Sequence, residues 1–134
     1  MVLVAAAGPA MNIALAILAG MAFHIIGYLP GSVAPWVARN LQNALIINVV
    51  LAVFNLFPIP PLDGGRIAVG LLPQTLALPL ARLEPYGMII LLGLLLVLPV
   101  LGQYMNVDLN FVSRFITTAS DTVIEAILRL TGTI

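Results

Sequence analysis

The sequence predicts an all-α integral membrane protein, with about three transmembrane helices, a proline-rich extended segment after the second and an amphipathic helix at the carboxy terminus. Three observations carry that prediction. Of the 134 residues, 62% are hydrophobic and only 7% are charged, whereas an ordinary soluble domain carries about 25% charged residues. The apolar residues gather in long runs over 2–28, 41–57 and 86–102, each near the roughly 20 residues that take a helix across about 30 Å of hydrocarbon. Beyond Asp108 the pattern changes to apolar residues at three- and four-residue steps, the period of a helix with one apolar face. Residues 1–134 are read as one membrane domain.

The first run lacks a preceding basic residue and exceeds the roughly 7–15-residue core of a secretion signal, so it is read as a retained helix. Gly8, Asn12, Ala16 and Gly20 recur every four residues and form a narrow face on which a second helix can approach closely. The Gly8-Pro9-Ala10-Met11-Asn12 stretch is packing chemistry first; it is also placed to shape a site from behind. His24 is the only histidine and sits at the end of this run, which suits an interfacial or packing role. Pro30, Gly31 and Pro35 then interrupt the helix, and Tyr28 and Trp36 beside Arg39 suit an aromatic belt at the membrane surface.

In the second span Asn48 and Asn55 are seven residues apart, nearly two helical turns, so they share a face. That stripe serves either hydrogen bonding between helices or, at Asn55, donation to a polarised carbonyl. The span ends at Pro58, Pro60 and Pro61, which push the preceding residues out of helical geometry and predict an extended segment. Asp63 follows at once. An acid at that depth is a functional candidate by default, and irregular backbone there belongs inside protein or beside a wet cavity. The ordinary alternative is that Asp63 caps the helix beginning near Gly64 and pairs with Arg66. Residues 66–83 contain Pro73 and Pro79 and predict short helices along the membrane rather than a span. In the tail (108–131), Val112, Phe115, Ile116, Ala119, Val123, Ile127 and Leu130 mark the apolar face of a helix that either lies at the interface or docks on the bundle; Glu125 and Arg129 are spaced as a supporting pair.

Composition also excludes some functions. Five arginines balance five acids and lysine is absent, so no nucleic-acid surface is indicated. Cysteine is absent, which removes thiolate metal sites and leaves nitrogen and oxygen donors. No internal repeat supports an inverted-repeat transporter.

Two motifs in order, Gly8-Pro9-x-x-Asn12 and Asn55-x-x-Pro58-x-Pro60-x-Leu62-Asp63-Gly64, resemble the two downstream signatures of the site-2 protease family of intramembrane zinc metalloproteases. The similarity covers residues 1–101, including Leu83-Glu84-Pro85-Tyr86-Gly87. It implies that Asp63 is the third zinc ligand and that Asn55 stands near the substrate carbonyl. Asn48, Pro58, Pro60 and Gly64 then support the site from this side, and Gly8, Pro9 and Asn12 from the first helix.

The family's HExxH helix supplies two histidine ligands and the glutamate base, and no HExxH occurs in these residues. The resemblance therefore implies a zinc enzyme of which this chain is the carboxy-terminal portion, inactive alone, with the remaining ligands expected from an upstream helix or a second subunit. Its substrates would be transmembrane segments of membrane proteins, in a multi-pass protein of a prokaryotic cell membrane. The alternative is a non-catalytic remnant that binds transmembrane helices or an assembly partner. A small transport subunit would have only Asn48, Asn55 and Asp63 as its polar path.

Overall fold

The computed structural model describes residues 1–134, and the chain is helical from end to end without strands. Helix α1 (Val2–Ala22) tightens into a 3-10 turn over Phe23–Tyr28, and α2 (Ala34–Asn55) returns alongside it. Short helices α3 (Asp63–Leu71) and α4 (Gln74–Arg82) follow. A third long stretch is built from α5 (Glu84–Leu92), a π-helical turn (Gly93–Val97) and α6 (Leu98–Met105), and α7 (Phe111–Leu130) closes the chain. Three stretches, Val2–Tyr28, Ala34–Asn55 and Glu84–Met105, are long and apolar enough to cross a membrane. The predicted all-α class with about three spans holds, and these helices are those of a membrane protein.

The prolines act differently from the sequence expectation in two places. Pro35 sits in the first turn of α2, where its missing N–H is not needed and its fixed φ favours helix. The helix therefore begins at Ala34, seven residues before the apolar run. The segment after α2 is not extended either. Residues 56–62 form consecutive turns, with the Ile59 N–H donating to the Phe57 carbonyl at 2.8 Å and the Leu62 N–H to the Ile59 carbonyl at 3.0 Å. Proline forbids helix there, but the carbonyls on either side still accept bonds, so the chain folds on itself instead of stretching. Residues 66–83 are the expected short helices, with Pro79 inside α4.

The main core lies where α1, α2 and α7 meet. Ala16, Ala19, Leu45, Val49 and Ile127 form it, flanked by Val53, Val123, Ile124 and Leu128. Small alanines on α1 let α2 approach closely, which is how helices associate where the solvent itself is apolar. The tail helix docks on the bundle along α2. At one end Phe115 meets Phe57 edge-on with ring centroids 6.1 Å apart. At the other, a His24 ring nitrogen bonds the Thr131 carbonyl at 2.7 Å, and the Thr133 hydroxyl donates to the Gly20 carbonyl at 3.1 Å. His24 thus ties the end of α1 to the end of α7 while its ring stays exposed. Phe115 and Leu130, expected on the buried face, are exposed, while Ser120 is buried in their stead.

Three glycines wrap the proline turns. A Cβ on Gly64 would overlap the Leu56 carbonyl, one on Gly65 the Pro60 nitrogen, and one on Gly87 the Pro60 carbonyl. The third stretch is seated through this last contact and otherwise packs little on α1 or α2. Gly87→Ala is expected to destabilise the fold by about 1–3 kcal/mol through overpacking. Gly31→Ala, where nothing lies within 4 Å of the added carbon, should leave stability unchanged. Thermal unfolding of the two variants in detergent checks the contrast.

Candidate metal-ligand site

The proline turns and the glycine contacts bring Asp63 to the amino-terminal end of α1. Leu56 lies against Gly64, so the residues just before each, Asn55 and Asp63, are gathered at the same end of the bundle. Across from them, a Cβ on Gly8 would stand 3.0 Å from the Asp63 carboxylate oxygen Oδ2. The two motifs recognised in the sequence, more than forty residues apart, therefore meet at Gly8 and Asp63. Pro9, beside Gly8, is buried, as are Pro60 and Gly64; Asn12 is half-buried, and Pro58 is exposed.

Asp63 is half-buried at the start of α3 and opens into a recess of about 430 Å³ lined by Met1, Val4, Ala5, Asp63, Arg66 and Glu84. Neither ordinary role accounts for it. Leu62, not Asp63, occupies the cap position of α3, and no side-chain cap bond forms. Arg66 turns to Glu84, with Nη2 3.4 Å from Oε1. The Asp63 carboxylate has no ion-pair or hydrogen-bond partner.

The asparagines divide. Asn48 donates to the Ala44 carbonyl of its own helix at 2.8 Å and is thereby satisfied within α2. Asn55 is half-buried at the last position of α2, and its amide makes no bond within the chain. Asn55 and Asp63 thus present a free amide and a free carboxylate at one end of the molecule. His24 lies at the opposite end of α1 and joins neither. No group of three or more His, Asp or Glu side chains gathers to hold a metal. The residues present therefore suit zinc as one oxygen donor, short of the three protein ligands of a catalytic site.

Arg66 and Glu84 line the recess but were not singled out from the sequence as site residues. The Leu83-Glu84-Pro85-Tyr86-Gly87 stretch carries the glutamate, but its partnership with Arg66, 18 residues earlier, depends on α4 turning the chain back.

A family model described as Peptidase family M50 matches residues 22–98, more than half of the chain. The chain belongs to this family, the site-2 proteases. A curated Bacillus subtilis (strain 168) protein named "Putative zinc metalloprotease YwhC" is 36% identical over 107 residues, covering 77% of this chain and 48% of that relative. The chain thus spans about half the length of the curated relative it matches. No solved structure matches it. The matched segment contains Asn55, Asp63, Arg66 and Glu84, while Gly8 and Asn12 of this site-2 protease chain lie before it.

The meeting of α1 and α3 can be checked directly, because the chain has no native cysteine. With Gly8→Cys and Asp63→Cys combined, mild oxidation should form an internal cross-link, seen as altered electrophoretic mobility. Pairing Asp63→Cys with Gly31→Cys, in the turn between α1 and α2 at the opposite end of the bundle, should form none.

Proposed function

We propose that this chain supplies the third zinc ligand, Asp63, and a carbonyl-binding amide, Asn55, to an intramembrane metalloprotease that hydrolyses peptide bonds in transmembrane segments of membrane proteins. The observation that carries the proposal is the Asp63 carboxylate itself: half-buried, faced by a glycine and without a partner. Its setting is one that a bound cation satisfies, since an intramembrane acid is otherwise paired or hydrogen-bonded. The remaining ligands and the general base come from residues outside these 134, which accords with the chain's matching about half of its curated relative.

Within this reading, zinc when bound supplies Lewis-acid polarisation and an acidified water. The chain's own residues do the positioning. Asp63 contributes a negatively charged oxygen donor fixed by the first turn of α3. Asn55 directs its amide at the scissile carbonyl oxygen, where negative charge would develop as water adds to the carbonyl carbon. Gly8 keeps α1 from crowding the carboxylate. The setting is a multi-pass protein of a prokaryotic cell membrane, in keeping with a bacterial relative.

A second reading, a non-catalytic protein that holds transmembrane helices or an assembly partner, is favoured by one observation: no three-donor group forms within the chain. The two separate on substitution in the longer protein that carries these residues. Asp63→Ala should abolish both bound zinc, measured by elemental analysis, and cleavage of a membrane substrate. Asn55→Ala should keep the zinc and lower kcat by about 10²–10³, the loss typical of one missing oxyanion donor. Retention of zinc and cleavage by Asp63→Ala would remove the assignment, and capture of a membrane helix with neither zinc nor cleavage would establish the second reading.

A further inference from the structure

Arg66 stands three residues after Asp63 on the same helix, a spacing at which opposite charges normally meet on one face. An arginine bound to Asp63 would occupy the oxygens a metal needs and would set a positive charge beside it. The structure shows the guanidinium drawn off in another direction. Glu84, at the start of α5, takes Arg66 Nη2 at 3.4 Å. All three side chains line the same recess, so Arg66 has two carboxylates within its reach and is held by the farther one in sequence.

The position of Glu84 is itself fixed by backbone packing. Gly87, one turn later, is buried with its α-carbon against the Pro60 carbonyl, leaving no room for a side chain. Pro85 lies in the first turn of α5, where its ring favours helix. The turn Glu84-Pro85-Tyr86-Gly87 is therefore held on the same proline loop that precedes Asp63, and it presents a carboxylate to Arg66 within the recess.

We propose that Glu84 is a positioning residue that keeps Arg66 off the Asp63 carboxylate and so leaves that carboxylate available to a divalent metal. The proposal rests on the reading of Asp63 as a metal ligand and adds to it a reason why an arginine one turn away does not silence it. Glu84 does not touch the metal or the substrate in this scheme; it acts through Arg66. A plain structural tie between α3 and α5 would predict that losing either partner is equally harmful. The diversion role predicts an asymmetry: removing the acid harms, while removing the base does not.

The test is zinc affinity, measured in detergent by competition with a chromophoric chelator on the longer protein carrying these residues. Glu84→Gln should bind zinc about two- to fivefold more weakly, the effect of one partly exposed ion pair formed at Asp63 instead. Arg66→Gln should bind at least as tightly as the unmodified protein. The double variant Glu84→Gln with Arg66→Gln should recover that affinity, which also guards against misreading a Glu84→Gln protein that merely folds poorly. A double variant as weak as Glu84→Gln alone, or an Arg66→Gln variant equally weakened, would overturn the proposal and leave the pair a structural tie or Glu84 a direct ligand. Unchanged zinc binding in Asp63→Ala would instead remove the reading beneath it, an outcome that the Asp63 variant reports separately from the Glu84 and Arg66 variants.

Discussion

The architecture depends on one constraint: a stretch of non-helical backbone at the edge of a membrane bundle has to be enclosed by protein. Residues 56–62 are that stretch: Pro60 and Leu62 are buried, glycine main chain closes on Leu56 and Pro60, and the Leu56 and Pro58 side chains stay at the surface. Gly64 and Gly65 fold back onto Leu56 and Pro60, and Gly87 comes down on Pro60 from the third stretch. Each contact needs the absence of a Cβ, because the approaching atoms are main-chain atoms that cannot step aside. Everything at the site follows from this enclosure. Asp63 emerges at the same end of the bundle as Asn55 because Gly64 lies on Leu56, and Glu84 reaches Arg66 because Gly87 lies on Pro60.

The small-residue face of α1 does three jobs along its length. Near its start, Gly8 leaves space for the Asp63 carboxylate. In the middle, Ala16 and Ala19 are buried against Leu45 and Val49 of α2. Near its end, a Cβ on Gly20 would crowd Thr131 at the carboxy-terminal end of α7, and its carbonyl accepts the Thr133 hydroxyl. A four-residue repeat that looks like a single helix–helix seam therefore contacts three different elements, and its first member belongs to the site.

Much of this was legible in the sequence because hydropathy and helical period act locally. The long apolar runs, the amphipathic tail and the candidacy of Asp63 and Asn55 need only spacing and composition. The errors occur where proline was read as a simple stop. At Pro35 the ring favours a helix start, and at Pro58, Pro60 and Pro61 the neighbouring amides and carbonyls still close turns. Glu84 was hidden for a different reason. Its role depends on which carboxylate an arginine 18 residues earlier selects, and no local pattern encodes that choice. For Asp63, the sequence left two ordinary roles open, a helix cap and a pair with Arg66; neither contact forms in the structure.

The docking of α7 has a consequence for the surroundings of the protein. This helix lies along α2, with Phe115 against Phe57 at one end and Thr131 bonded to His24 at the other. Its outer surface carries Arg114, Asp121, Glu125 and Arg129, all exposed. Acyl chains solvate such a row poorly, because ionised groups facing hydrocarbon are strongly disfavoured. The α7 flank is therefore the side on which the bundle meets its surroundings with charge instead of an apolar wall.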